Sequence, residues 1–224
     1  MNVLLFGATG MVGKGVLLEC LRDTGVISIV AIGRTASGLS DPRLREIALA
    51  DLTNFAGLES VFAAADACFY CLGVSSVGMS EPDYTRISYD YPLAAAEALG
   101  RAHSGATFIY VSGAGTDSSE QGRTMWARVK GRTENALLRL PLHSFLFRPG
   151  FIQPLDGIRS RTRLYSFIYA LTAPITPLAA RLAPNYILTT RQIGRAMLAV
   201  ARNGAPTPVL EVRDIRHLAA SSIS

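Results

Sequence analysis

The chain has 224 residues, 49% hydrophobic and only 17% charged, a balance that excludes a disordered chain and suits one domain with a substantial core. Its net charge of +5 comes from basic residues scattered along the sequence, with no block of like charge to mark a nucleic-acid-binding tail, so no nucleic acid is expected as a partner. Cys20, Cys68 and Cys71 are odd in number and no signal peptide precedes the first apolar run, so a reducing, cytoplasmic setting is expected.

Two periodicities alternate along the first half: short apolar runs that suit buried parallel strands, and longer stretches with helical spacing. "NVLLFG" is the first strand and Met11–Asp23 the first helix. "ISIVAIG" and "REIALA" are the second and third strands, residues 54–65 a helix, and "ACFYCLG" the fourth strand. Cys68 and Cys71 form a C-x-x-C in that strand, where residues three apart point to opposite faces, so neither a disulfide nor a metal site is expected. A long helix runs from about Pro82 to His103, "TFIYVSG" is the fifth strand, Met125–Leu140 a helix, and "SFLFRPG" the sixth strand. This alternation predicts a single α/β domain of Rossmann type, a doubly wound parallel sheet with helices on both faces.

After Gly150 the alternation stops, and residues 151–206 are expected to form a mostly helical cap over the carboxyl edge of the sheet, ahead of "PVLEV". Within it, Leu164–Ala180 is apolar but is interrupted by Pro174 and Pro177 and is short for a membrane span. It reads as two short buried or amphipathic segments, and contact with a membrane surface is not expected. Arg159, Arg161 and Arg163 read as a solvated surface, with a phosphate-facing cluster as the alternative. His103, His143 and His217 lack metal-ligand spacing, and neither a G-x-S-x-G elbow nor a Walker loop is present.

The most informative stretch is "GATGMVGKG", residues 7–15, which leaves a strand and enters a helix. Gly7 suits a tight turn, Gly10 a close approach of backbone to a pyrophosphate, and Gly13 close packing of helix and strand. The N–H groups of Thr9, Met11 and Val12 and the positive end of the helix dipole then face phosphates. With this spacing the stretch resembles the short-chain dehydrogenase/reductase superfamily in its atypical and extended branches, similar to the epimerase/dehydratase and Tat-interacting-protein-like members. The resemblance runs from Met1 to about Gly204.

An NAD-preferring site carries an acid about 20 residues beyond the loop; here "AIGRTASG" puts Arg34 there, followed by Thr35. A guanidinium binds a 2′-phosphate that a carboxylate would repel, so NADP(H) is the expected cofactor and NAD(H) the alternative. The resemblance further implies that Asp51 and Leu52 contact the adenine, that Cys71, Leu72 and Gly73 in "CLGVSS" line the ribose, and that Pro149 and Gly150 in "FRPGFIQP" approach the nicotinamide.

The superfamily's chemistry rests on a Tyr-x-x-x-Lys helix and a serine at the end of the fifth strand. In "MWARVKGRTE" Lys130 matches the lysine, but Trp126 occupies the tyrosine position, and an indole has no acid-base equilibrium near neutral pH. "YVSGAGTDSS" supplies Ser112 but has Gly113 at the next position, often the catalytic hydroxyl in extended members. Ser112 and Lys130 are the expected catalytic residues, with Lys130 also holding the nicotinamide ribose. Tyr89, or an aromatic among Tyr165, Phe167 and Tyr169, is a candidate replacement or pocket residue. Two readings stay open: an NADP(H)-dependent oxidoreductase acting on a small carbonyl or sugar-like substrate, and a catalytically silent NADPH-binding regulatory or scaffold protein. By analogy with the superfamily, a homodimer through the long helices is expected.

Overall fold

Alternation along each strand divides the core into two layers. In β1 (Asn2–Phe6), Val3 and Leu5 face the layer that contains α1 (Met11–Arg22), and Leu4 and Phe6 face the other. The computed structural model describes residues 1–158 and 186–221. Among these, β3 (Leu44–Ala48), β2 (Ser28–Gly33), β1, β4 (Ala67–Tyr70), β5 (Thr107–Val111), β6 (His143–Arg148) and β9 (Val209–Glu211) form one sheet in that order, every pair parallel. The strand order reverses between β1 and β4, so the loop leaving β1 sits at the crevice where ligands of such sheets bind. The α/β doubly wound fold expected from the sequence is the fold observed.

Three elements differ from expectation, two for identifiable local reasons. The helix expected over residues 54–65 shrinks to α2 (Glu59–Ala63). Asp51 and Asn54 accept hydrogen bonds from the backbone two residues on, at Thr53 and Ala56, and Gly57 has φ +82°, so turns displace the first helical turns. The long helix is continuous but changes winding: α3 (Glu81–Thr85) and α4 (Tyr91–Ala102) are joined by a π-helical turn, Arg86–Asp90. Pro92 has no N–H to give the Ser88 carbonyl four residues back, and that carbonyl instead accepts the Tyr110 hydroxyl at 3.2 Å and the Thr133 hydroxyl at 2.7 Å. The helix after β5, α5 (Met125–Leu137), ends three residues before the expected Leu140.

Beyond β6, β7 (Phe151–Gln153) pairs in parallel with β8 (Ile187–Thr189), and a Thr189–Gln192 capping box opens α6 (Thr190–Asn203). This helix lies beside α1, with the Gly194 Cα against Glu19 and Gly15 against Thr190; a Cβ at Gly15 would stand 2.5 Å from that of Thr190. Buried Glu19 meets Arg22, Arg191 and Arg195 there. Within the span expected to cap the sheet, α6 thus adds to the layer beside α1; past that span, β9 extends the sheet before α7 (Val212–Ser221). Residues 159–185, with Arg159, Arg161, Arg163, Tyr165, Phe167, Tyr169 and both prolines, lie outside the described residues. Among the described residues no helix is long and apolar enough to cross a membrane. Cys68 packs into one layer and Cys71, just past β4, against the other, and all three thiols are free.

Candidate functional site

The glycine loop is built so that side chains cannot enter it. Gly7 has φ +84°, and a Cβ there would stand 2.6 Å from the Leu72 backbone nitrogen. A Cβ at Gly13 would stand 2.1 Å from the Gly7 carbonyl oxygen, so the first turn of α1 closes directly onto the loop. Gly10 differs: it is the N-cap of α1, provides no side-chain cap, and a Cβ there would meet only the Gly7 carbonyl, at 3.3 Å. The first turn begins with Met11 and Val12 and contains no acidic residue to absorb the helix dipole. The loop is a backbone cradle of the shape an anionic pyrophosphate fits.

The neighbouring segments meet this cradle at the carboxyl edge. Cys71, Leu72 and Gly73 leave β4 against Gly7, with the Cys71 amide donating to the Phe6 carbonyl. Arg34 and Thr35 are exposed directly after β2, where the Ser37 amide donates to Glu46 at 2.6 Å and folds the turn onto β3. Asp51 is exposed, and hydrogen bonds from Thr53 hold its carboxyl below the usual range. Leu52, expected to touch adenine, has its side chain in the core with Phe6 and Phe55. Its apolar side chain has more to gain from that layer than from the edge of the cleft.

On α5, Trp126, Lys130 and Glu134 recur at four-residue spacing and share one face. The Lys130 ammonium donates to the Ser112 carbonyl at the end of β5. Burial pulls its pKa down to about 8, and the carboxylate of Glu134 opposes that fall. The Trp126 indole lies against the β5–α5 loop, its Cη2 3.6 Å from where a Cβ on Gly115 would be. Gly113 has φ +146°, backbone that a serine side chain rarely adopts, so the empty hydroxyl position is one shaped for glycine.

Ser112 requires a correction. Expected to steady a substrate oxygen, it is 5% exposed, and its hydroxyl lies 2.5 Å from Glu134 Oε1 and 3.1 Å from the Phe147 carbonyl. Its hydroxyl is turned into the protein because Glu134 is a buried carboxylate in need of donors. Tyr89 is also placed away from Lys130: its ring carries the Arg132 guanidinium at 4.1 Å, and Arg132, two residues from Lys130, points to the other side of α5. Pro149 and Gly150 close the far side of the loop, the Pro149 carbonyl accepting the Ala114 amide at 2.9 Å.

Two residues escaped sequence reasoning. Glu134, 1% exposed, forms a buried ion pair with Arg148, whose Nε donates at 3.0 Å and whose Nη2 donates to the second carboxylate oxygen. The signals were available: an acid one turn beyond Lys130 on the same helical face, and an arginine at the head of "RPG". Neither discloses its partner without the fold.

The model of the NAD dependent epimerase/dehydratase family matches residues 3–124. The chain belongs to that family. In this epimerase-family chain the matched span holds the glycine loop, both segments beside it and the end of β5, while Trp126, Lys130 and Glu134 follow it. Protein HTATIP2 of Rattus norvegicus is 27% identical over 154 residues, covering 67% of this chain and 62% of the rat protein, so the match spans about three fifths of that relative. A protein named fmp52-2, mitochondrial, of Aspergillus terreus is 23% identical over 88% of this chain and 85% of its own length. Among solved structures, MoeE5 in complex with UDP-glucose and NAD superposes with a TM-score of 0.69 at 18% identity, covering 100% of this chain and 82% of MoeE5. Bordetella bronchiseptica WbmF in complex with NAD+ and UDP gives 0.66 at 14% identity, covering 99% of this chain and 76% of WbmF. At such identities the likeness is one of fold. The family and the cradle together make this an NAD(P)-binding protein of the short-chain dehydrogenase/reductase type.

Proposed function

We propose that this protein binds NADP(H) and transfers hydride to or from a small carbonyl or sugar-like substrate, with a proton donor other than tyrosine. The observation that carries the reading is Lys130, buried in part on α5, whose ammonium donates to the Ser112 carbonyl just past the carboxyl end of β5. Its ammonium gives one N–H to the Ser112 carbonyl, and ribose hydroxyls are suitable acceptors for the others. Arg34 supports the phosphorylated cofactor, since its exposed guanidinium follows β2 where an adenosine ribose would carry its 2′ group.

When bound, the cofactor would supply or accept the hydride, and the chain's own residues bind, orient and exclude water. The backbone of residues 7–13 holds the pyrophosphate, Arg34 the 2′-phosphate, and Lys130 the second ribose. Trp126 and the Pro149–Gly150 turn bound the space where a substrate carbonyl would lie. A second reading has specific support. The Trp126 indole and the backbone of Gly113 fill both standard proton-handling positions with groups that cannot exchange protons, which suits a silent protein whose bound NADPH shapes an interaction surface.

Calorimetric titration with NADPH and NADH, followed by NADPH oxidation over a panel of small aldehydes, ketones and nucleotide sugars, separates these readings. Binding with turnover supports the reductase. Binding without turnover across the panel supports the silent reading, and binding of neither cofactor overturns both.

A further inference from the structure

A buried carboxylate is expensive, so one that donates nothing to packing calls for a reason. Glu134 sits where α5 crosses the ends of β5 and β6, and its neighbours come from separate elements. Ser112 on the loop after β5 points its hydroxyl at Oε1, and Arg148 on β6 grips both oxygens. Arg148 also donates to the Ser118 hydroxyl at 2.6 Å and approaches Glu211 of β9 at 3.5 Å. Ser112 is held at three points: its hydroxyl by Glu134, its carbonyl by Lys130, and its amide, which donates to the Phe147 carbonyl at 2.9 Å.

We propose that Glu134 is a positioning residue for Lys130, clamping the Ser112 peptide that receives the ammonium and supplying the negative charge that keeps that ammonium protonated in the cleft floor. The inference rests on the reading of Lys130 as the cofactor-binding lysine. The charged and titratable groups around the pair are Glu134 itself on α5, Arg148 on β6, Glu211 behind it on β9, and Tyr110 on β5, whose hydroxyl is engaged by the Ser88 carbonyl. Of these, Glu134 is the one whose charge favours the protonated lysine. Arg148 offsets part of that charge and fixes where the carboxylate lies, a geometry that an apolar residue of equal volume would not reproduce.

The sequence makes the test simple, because Lys14 and Lys130 are the chain's two lysines. Reductive methylation with 13C-formaldehyde labels them together with the amino terminus, and Lys130→Arg assigns the Lys130 signal. Its titration is then followed by NMR in the protein without cofactor. Glu134→Gln is expected to lower the proton affinity of Lys130 roughly tenfold and, at pH 9, where that loss passes almost fully into the protonated fraction, to weaken NADPH binding about tenfold. Glu134→Asp, which keeps the charge, is expected to keep both within about threefold. If Glu134→Gln fails to fold, the double variant Glu134→Gln/Arg148→Met leaves no unpaired buried charge and is expected to move both readouts in the same direction. An unchanged Lys130 titration in the Glu134→Gln protein, or in the double variant, overturns the inference. Failure of the wild-type protein to bind NADPH would overturn the proposed function instead, while the titration would still judge Glu134.

Discussion

The glycine loop, at the carboxyl end of β1, and the Lys130 face of α5, at the carboxyl end of β5, are built on opposite principles. The loop uses the absence of side chains: a Cβ on Gly7 or Gly13 would stand 2.6 Å or 2.1 Å from neighbouring backbone, so only glycine fits there. The α5 face uses a charged chain, Lys130 to Ser112 to Glu134 to Arg148, each member satisfied by the next. The first kind of site tolerates almost no substitution but depends on local sequence. The second depends on residues from three elements, and at its head Trp126 stands where the superfamily it resembles has a tyrosine.

Substitution at Gly13 is the strongest way to break this contrast. Gly13→Ala puts a Cβ on the Gly7 carbonyl and is expected to cost about 3 kcal/mol in urea unfolding and to abolish dinucleotide binding by calorimetry. Retained binding would mean that the cradle is not the phosphate site. Next in size is Trp126→Tyr, which returns a phenol one turn from Lys130 and is expected to raise NADPH-dependent carbonyl reduction about a hundredfold. The same gain is not expected from Gly113→Ser, whose φ of +146° opposes the side chain.

A smaller effect sharpens the cofactor assignment. Arg34→Asp is expected to weaken NADPH by about 2 kcal/mol, roughly thirtyfold, and NADH by less than about threefold. Equal losses for both cofactors would remove Arg34 from the 2′-phosphate. The smallest effect is one of pH. Lys130 has a pKa of about 8 in the fold against 10.5 for a free lysine, so between those values the unfolded chain carries a proton that the folded chain lacks. The contribution of Lys130 to stability therefore rises with pH across that window. NADPH binding has the opposite sign: affinity is expected to fall about tenfold as pH rises through 8 and the ammonium is lost, and Lys130→Met is expected to flatten the curve.

The cradle was readable because its determinants are local. Three glycines, from the turn after a strand into the first turn of a helix, allow a close backbone approach that any side chain would block. The shortened helix at Glu59–Ala63 and the π turn at Arg86–Asp90 were less readable, because the Asp51 and Asn54 turns with Gly57 in the first, and Pro92 in the second, outweigh helical periodicity. Ser112 was misread for a further reason. Its place at the end of β5 is written in the sequence, but the direction of its hydroxyl is decided by a carboxylate 22 residues away.

The sequence by itself determined the order of strands and helices as far as Gly150, the glycine cradle at the carboxyl end of β1, and the positions of Arg34, Trp126 and Lys130, since periodicity and backbone permissiveness act over a few neighbouring residues. Only the tertiary structure decided which groups Lys130 and Ser112 face, that α6 packs beside α1 through Gly15 and Gly194, and that Glu134 and Arg148 pair. Those are meetings between distant segments, and a buried charge takes whichever partner the packed strands and helices bring within hydrogen-bonding reach.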